Sequence, residues 1–195
     1  MTPGLKVIYS SARIRTQVAR MGREISRAYR GRTLDVVILL QHAFIFAADL
    51  VRNISSPVVW HFVRADTHDV EQAGRWRREI FFSERPVLKD RDVLLVDAVL
   101  QSGVTQDFLI RRLLENDPRS LRLAVLLDKS QERKVDLQAD YFGFRAASND
   151  HVVGYGLPGN AGARRNLPYV AGAGQAGRKG RTSGKRAAGN SRRIN

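Results

Sequence analysis

Hydrophobic and polar positions alternate along this chain in blocks that predict helices and strands in turn. From 14 to 25 the apolar residues recur at intervals of three and four, the period of an amphipathic helix, and Ser10 or Ser11 stands at its expected N-cap. The pattern further predicts strands at 35–40, 57–63, 76–82, 93–96, 121–127, 141–144 and 152–155, and helices at 43–51 and 106–116. Strands separated by helices favour a mainly parallel sheet with right-handed crossovers, so we expect an α/β fold.

The segment 93–105 carries the strongest chemical signal. Its apolar run 93–96 is typical of a central parallel strand, and Ser102, Gly103 and Thr105 then open an amphipathic run. Free backbone N–H groups and the positive end of a helix dipole at such a place bind anions, phosphate among them. Because ligands of open α/β sheets lie beyond the carboxyl ends of the strands, the loop after Val96 is predicted to carry the site.

Length and composition restrict the class of protein. A chain of 195 residues with 43% hydrophobic content can bury one core, so we expect one domain over 1–171 and a basic tail over 172–195. No apolar run reaches the roughly 20 residues that span a bilayer, and the amino terminus lacks a signal-peptide pattern, so a cytoplasmic protein without membrane contact is expected. The absence of cysteine excludes disulfides and thiolate metal sites.

Positive charge is concentrated at the carboxyl end. The segment 172–195 holds seven of the 33 lysines and arginines and no acidic residue, and its other residues are mostly small or polar. Such a composition cannot bury enough apolar surface to order itself, so the simpler interpretation is a disordered, solvated extension. In the alternative interpretation, the tail and the arginine-rich face of the first helix bind RNA or another polyanion through counterion release.

Six segments carry a family pattern in a fixed order. They are Leu94 to Thr105, Ala47-Ala48-Asp49-Leu50, Leu126-Leu127-Asp128-Lys129, Asp140-Tyr141-Phe142-Gly143-Phe144, Val152 to Leu157 and Arg165-Asn166-Leu167-Pro168-Tyr169. Together they resemble the type I phosphoribosyltransferases, and among these the hypoxanthine-guanine phosphoribosyltransferases, from about 5 to 170. The resemblance implies a mainly parallel central sheet flanked by helices, a small hood from the terminal segments, and a homo-oligomer.

The resemblance also implies an activity: transfer of a phosphoribosyl group from phosphoribosyl pyrophosphate to N9 of a 6-oxopurine, with Mg²⁺, as in purine salvage. The product is a nucleoside monophosphate, and pyrophosphate is released. The resemblance also assigns residues to each part of the ligand. The implied 5′-phosphate contacts are Ser102, Gly103, Val104 and Thr105, and the implied purine contacts are Lys129, His151 and Val152. The implied pyrophosphate contacts are Gln41, His42 and Arg165, and Thr67 and His68 belong to a mobile lid.

Departures from the family pattern fall on the chemistry. Asp97 keeps one acid of the pair that holds ribose and metal, whereas Ala98 replaces the second, so Asp97 alone is a weak Mg²⁺ ligand. Gln101 stands at the position of the catalytic acid/base aspartate, and an amide exchanges no proton near neutral pH. The loss of general acid/base catalysis lowers a rate by ~10² to 10⁴.

Other substitutions weaken further contacts. Gln41-His42 replaces a Lys-Gly step that is commonly a non-proline cis peptide in the family, and Thr67-His68 replaces the Ser-Tyr of the lid. His151 replaces the aromatic residue that stacks on the purine, and Pro158 replaces a late metal-binding aspartate. Whether the chain is an active enzyme therefore stays open. The alternatives are a weak or altered purine phosphoribosyltransferase, an inactive regulator that binds purine nucleotides, and an RNA-binding regulator on the same fold.

Overall fold

The computed structural model describes residues 5–72, 75–82, 86–146, 151–159 and 163–173, with the backbone alone described over 65–82. The elements along the chain are β1 (Leu5–Tyr9), α1 (Ser11–Ala28), β2 (Leu34–Leu40), α2 (Phe44–Val51), β3 (Val58–Gln72), β4 (Arg75–Phe82), β5 (Asp92–Leu100), α3 (Val104–Leu114), β6 (Ser120–Asp128), a 3₁₀ turn (Ser130–Glu132), β7 (Tyr141–Arg145), β8 (Val152–Val153) and β9 (Val170–Ala173). The tail predicted over 172–195 lies outside the described residues from 174 onwards, so its proposed polyanion contact stays a prediction.

The central sheet has the strand order β4-β3-β2-β5-β6-β7. The strands β3, β2, β5, β6 and β7 run parallel, and β4 pairs antiparallel with the last part of β3. Successive residues of β2 face opposite layers: Val36 and Ile38 pack with α1 and α2, whereas Val37 and Leu39 pack with α3. Burial on both faces explains the continuous apolar runs. The predicted α/β fold with a mainly parallel sheet is confirmed.

The first helix forms as its periodicity predicts. Ser10 is the N-cap, and its hydroxyl accepts a hydrogen bond from the backbone N–H of Arg13 at 3.3 Å. The apolar positions from 14 to 25 are buried against the sheet, while Arg23 and Arg27 lie on the exposed side. No helix in the described part of the chain is long and apolar enough to cross a membrane.

A second, smaller sheet forms the predicted hood. It joins the two ends of the domain, because β9 pairs antiparallel with both β1 and β8. The run predicted as a strand over 152–155 belongs to this sheet, and only Val152 and Val153 are in strand conformation. Tyr155 ends the run because its φ of 51° is left-handed.

Three predicted boundaries are wrong. The strand predicted over 57–63 was expected to end before the polar stretch 64–74, but β3 continues to Gln72 and its last part pairs with β4. A ladder of backbone hydrogen bonds forms this antiparallel ribbon, so the alternation of apolar side chains does not reveal it. Likewise, β5 continues beyond Val96 to Leu100, which moves the turn to 101–103, and α3 begins at Val104 instead of 106.

Candidate active site

A cavity of about 360 Å³ opens at the carboxyl ends of β2, β5 and β6. Its lining includes seven of the residues that the sequence singled out for binding or chemistry: His42, Asp97, Gln101, Thr105, Lys129, His151 and Val152. Pro158 lines it as well. Of the described residues, Gln41, Ser102, Gly103, Val104 and Arg165 are neighbours of this lining rather than members of it. The placement at the strand ends agrees with the position expected for a ligand in such a sheet.

The turn before α3 is shaped by a glycine. Gly103 is the N-cap of α3 with a φ of 80°, a left-handed conformation that L side chains rarely adopt. A Cβ at this position would lie 2.8 Å from Cγ2 of Val135, so a larger residue is excluded by space as well as by backbone conformation. The hydroxyl of Ser102 accepts a long hydrogen bond of 3.5 Å from the backbone N–H of Val104. The positive end of α3 therefore lies at the cavity, next to Thr105.

Hydrogen bonds from a side chain and from the backbone hold Asp97 in the interior. Its Oδ2 accepts a hydrogen bond of 2.5 Å from Nε2 of Gln106, and its Oδ1 accepts one of 2.6 Å from the backbone N–H of Ala98. The side chain is almost fully enclosed, with 6% of the residue exposed. Burial raises the pKa of Asp97 to about 6, and the hydrogen bonds from Gln106 and Ala98 oppose that rise. The carboxylate therefore titrates close to neutral pH.

Sequence reasoning missed Gln106. One signal was available: Gln106, Leu109 and Leu113 are spaced as one helical face, and all three are buried in α3. A glutamine on an otherwise apolar stripe needs a buried hydrogen-bond partner, which here is Asp97, with the carbonyl of Val99 at 3.2 Å as a second acceptor. The polar residue on the apolar face thus marks the acid that it holds.

The described side chains do not form a complete Mg²⁺ site by themselves. Within the described ranges, no group of three or more His, Cys, Asp or Glu residues could hold a metal ion. Ala98 is fully buried in the core beside α1 and α2, so the position of the second acid faces packed apolar side chains. Of the described residues that line the cavity, Asp97 is the one carboxylate, so Mg²⁺ at this place would need further oxygen ligands from substrate phosphates or water.

Gln101 is tied to a carboxylate outside the cavity. Its Nε2 donates a hydrogen bond to Oε2 of Glu132, at the end of the 3₁₀ turn. Because an ionised carboxylate only accepts, the amide nitrogen must be the group that faces Glu132, which fixes the orientation of the amide. Sequence reasoning missed Glu132, which lies 31 positions away along the chain. The arrangement offers hydrogen bonds at this position but no exchangeable acid.

The three predicted purine contacts line the same cavity. Lys129 follows β6 and is buried, and its backbone N–H donates to the carbonyl of Leu100 at 2.9 Å. His151 and Val152 approach from the start of the hood. A lysine side chain, an imidazole ring and a strand backbone therefore lie around one space, an arrangement that offers hydrogen-bond donors and a flat ring to a ligand.

The predicted pyrophosphate end is partly assembled. Partial desolvation of its imidazole, followed by the positive charge of Arg165, lowers the pKa of His42. The guanidinium of Arg165 also donates to the carbonyl of Gly156 at 2.8 Å. The family resemblance places a non-proline cis peptide at the step that Gln41-His42 occupies here, whereas the structure has one between Leu40 and Gln41.

The two predicted lid residues lie on the antiparallel part of β3. Thr67 pairs with Ile80 and His68 pairs with Glu79 of β4. Their backbones therefore belong to a regular two-stranded ribbon that extends from the edge of the central sheet. Their part in closing the site stays a prediction.

Comparisons with known proteins agree with this geometry. A sequence family described as "Phosphoribosyl transferase domain" matches residues 5–158. The chain belongs to this phosphoribosyltransferase family. The hypoxanthine-guanine phosphoribosyltransferase of Mycobacterium avium is 34% identical over 170 residues, which cover 84% of this chain and 83% of that protein.

Two further relatives show the range of the family. The bifunctional protein TilS/HprT of Listeria monocytogenes serotype 4b is 32% identical over 165 residues, and this phosphoribosyltransferase chain spans 25% of its length. The hypoxanthine phosphoribosyltransferase from Trypanosoma cruzi, solved in complex with the product IMP, superposes with a TM-score of 0.78 at 26% identity. The superposition covers 89% of this chain and 96% of that one. The sequence resemblance to this family is thereby confirmed.

Proposed function

We propose that this phosphoribosyltransferase binds a purine nucleoside 5′-monophosphate in the cavity between Thr105 and Lys129, and forms it slowly from a 6-oxopurine and phosphoribosyl pyrophosphate. One observation carries the proposal: a single cavity is lined by the start of α3, by the buried Lys129 and by Val152 of the hood. A phosphate, a ribose and a base follow one another in a nucleotide in the same way. The hypoxanthine-guanine phosphoribosyltransferase of Mycobacterium avium, of which this chain covers 83%, supports the same reaction class.

Each part of such a ligand has a matching group. The backbone amides at the start of α3 and the hydroxyl of Thr105 suit a 5′-phosphate. The ammonium group of Lys129 suits the 6-oxo group of the base, and the imidazole of His151 can stack on the ring. Asp97 is the carboxylate available to the ribose hydroxyls. These roles follow the family resemblance at the matching positions.

The slow step follows from Gln101. In the transfer, N9 of the base bonds to C1′ of the ribose, the bond from C1′ to the pyrophosphate oxygen breaks, and a proton must leave N7. The amide of Gln101 can accept a hydrogen bond from that N–H, but it cannot take the proton, which then passes to water. Its contact with Glu132 leaves it in a fixed orientation. We therefore propose turnover below the ordinary enzymatic range of about 1 to 10³ per second.

Two measurements on the purified chain test the proposal. Calorimetry with inosine 5′-monophosphate is expected to show binding below millimolar concentration. Hypoxanthine and guanine, each with phosphoribosyl pyrophosphate and Mg²⁺, are expected to give slow product formation. Thr105→Val should weaken nucleotide binding. Thr16→Val is a matched control, because Thr16 lies on the exposed face of α1 and its hydroxyl donates to the carbonyl of Ala12. Absence of binding at millimolar concentration, or turnover at ordinary enzymatic rates, would overturn the proposal.

The second candidate is a regulator that binds the nucleotide without making it. The burial of Ala98 in the apolar core and the contact between Gln101 and Glu132 both favour it, since neither arrangement leaves a second acid at the reacting atoms. The same two measurements separate the candidates. A regulator binds inosine 5′-monophosphate, while product formation stays at the rate measured without protein.

A further inference from the structure

Three consecutive carbonyl groups, those of residues 100–102 at the turn before α3, accept hydrogen bonds from one stretch of chain. This stretch is residues 129–135, which we name the clamp segment. The anchoring hydrogen bonds run from Lys129 N to Leu100 O at 2.9 Å, from Arg133 Nε to Gln101 O at 3.1 Å, and from Lys134 N to Ser102 O at 2.9 Å. The middle bond comes from a side chain and the outer two from the backbone. Arg133 is therefore the member of this set that substitution can remove without breaking the chain's own amides.

The anchoring decides where the donors of the turn point. In a trans peptide unit the C=O and the next N–H lie antiparallel. Because the carbonyls of Gln101 and Ser102 face the clamp segment, the amides of Ser102 and Gly103 face the opposite way. Arg133 and Val135 line a separate cavity of about 340 Å³, whereas Gln101 and Thr105 line the first cavity. The part of the clamp segment that holds Arg133 and Val135 thus lies behind the turn, and the N–H groups of the turn face the ligand side.

Arg133 is held rigidly enough for this role. Its side chain is 14% exposed, and it forms an ion pair with Asp128, whose side chain is 12% exposed. The same guanidinium donates to the carbonyl of Leu137. Its Cδ also lies 3.0 Å from the place that a Cβ on Gly103 would occupy, so its aliphatic part supports the left-handed residue of the turn. The planar fork of arginine serves all these acceptors at once, which a lysine cannot do.

We propose that Arg133 is a positioning residue for the 5′-phosphate of the nucleotide. It touches no ligand itself; it holds the backbone of 101–103 so that the amides of the turn converge on the phosphate. The inference rests on the proposed nucleotide binding and deepens it. It assigns the strength of phosphate recognition to a side chain outside the cavity lining, reached through the carbonyl of Gln101.

The test compares two ligands that differ in the phosphate alone. Calorimetry gives the affinities of inosine 5′-monophosphate and of inosine for the full chain, for Arg133→Met and for Arg133→Lys. We expect both variants to lose about tenfold or more in affinity for the monophosphate, the scale of one charge-assisted hydrogen bond, while the inosine affinity stays unchanged. Arg112→Met is the matched control, because Arg112 pairs with Glu115 on the exposed side of α3.

The inosine affinity is an internal measure of folding, since an unfolded variant binds neither ligand. If Arg133→Met does not fold, Arg133→Lys gives the same comparison with the charge beside Asp128 retained. An unchanged ratio of the two affinities in the Arg133 variants, whether or not both affinities fall, would overturn the role of Arg133. If the unaltered chain itself fails to prefer the monophosphate over inosine, the proposed nucleotide binding falls as well, and that result is distinct from the failure of Arg133 alone.

Discussion

The side-chain amide of Gln106 lies 2.5 Å from the carboxylate of Asp97, and this contact ties the first turn of α3 to the end of β5. The helix that presents the phosphate turn therefore also holds the acid expected at the ribose. Both groups are buried, at 7% and 6% exposure, so water does not compete for the hydrogen bond. Any change in the charge of Asp97 is felt at the start of α3.

The first prediction concerns the dependence of stability on pH. The pKa of Asp97 is raised from 3.8 to about 6 in the folded chain, so between these values the folded state binds more proton than the unfolded state. The stabilisation of the folded state by protonated Asp97 is therefore lost as pH rises from about 4 to about 6, and it stays lost above pH 6. The total loss is no more than about 3 kcal/mol. Asp97→Asn removes this loss.

Urea unfolding of both proteins at pH 4 and pH 8 measures the effect. The stability of Asp97→Asn relative to the unaltered chain, measured as the difference between their free energies of unfolding, should be greater at pH 8 than at pH 4. Gln106→Leu deletes a hydrogen bond that opposes the rise of the Asp97 pKa, so the midpoint of the wild-type loss should move to higher pH. Parallel pH profiles for all three proteins would contradict the titration of Asp97.

The second prediction restores an acid at position 101. Gln101→Asp places a proton-exchanging group at the cavity, and the rate of nucleotide formation should rise by about 10². The single change is preferable to one that also converts Ala98, because that side chain is packed in the apolar core and a carboxylate there would be buried. The measurement is product formation from hypoxanthine and phosphoribosyl pyrophosphate under identical conditions.

A matched variant checks that the gain comes from the acid. Gln101→Asn shortens the side chain equally and removes its reach to Glu132, but it adds no acid. We expect Gln101→Asn to leave the rate at or below that of the unaltered chain. Equal rates for the aspartate and asparagine variants would show that the contact with Glu132, and not proton transfer, limits the reaction.

The sequence predicts those parts of the fold that local pattern determines. The apolar face of α1 is visible because its period is that of a helix, and β2 and β5 are visible because burial on both faces requires apolar residues throughout. The antiparallel ribbon of β3 and β4 is less visible. It projects from the edge of the sheet, and the residues of its polar part show no alternation that would identify a strand.

The site divides in the same way. Residues within a family motif, such as Thr105 and Lys129, can be placed from the sequence because each follows a recognisable strand. Glu132 and Arg133 could not be placed, since their contacts with Gln101 join positions 31 and 32 apart, and they lie in a polar segment without periodicity. Long-range polar contacts depend on the packing of the folded chain, which local patterns do not encode.

The third prediction concerns the junction of α2 with the hood. The hydroxyl of Tyr155 donates to the carboxylate of Asp49 at 2.6 Å, and burial of the ring, together with this contact, raises the pKa of Tyr155. Tyr155→Phe removes the donor but keeps the ring. The free energy of unfolding should fall by about 1.5 to 3 kcal/mol, the scale of a hydrogen bond to a charged group. Urea unfolding at pH 7 measures it.

A conservative change at the partner separates the hydrogen bond from the charge. Asp49→Asn keeps an acceptor for the hydroxyl of Tyr155, so it should cost less than Tyr155→Phe. The Asp49 carboxylate also pairs with Arg52 at the end of α2, where the arginine is largely exposed, and such a pair contributes little. A larger loss for Asp49→Asn than for Tyr155→Phe would contradict the assignment of the stabilising contact.

The last prediction concerns His42 at the pyrophosphate end. Desolvation is the larger cause of its lowered pKa, and the positive charge of Arg165 is the second. Its midpoint in an NMR titration should therefore lie below 6.5, the ordinary value for histidine. Arg165→Met should move the midpoint part of the way back, because the desolvation remains. The His42→Gln spectrum assigns the resonance among the four histidines.

Pyrophosphate provides the complementary test at the same residue. An anion bound beside His42 favours the charged imidazole, so saturating pyrophosphate should raise the His42 midpoint in the unaltered chain. In Arg165→Met the anion loses a cationic partner, and the concentration of pyrophosphate that gives half of this shift should increase. A His42 midpoint above 6.5 without ligand, or one that falls further in Arg165→Met, would show that the guanidinium does not act on this imidazole and that the two residues do not share an anion.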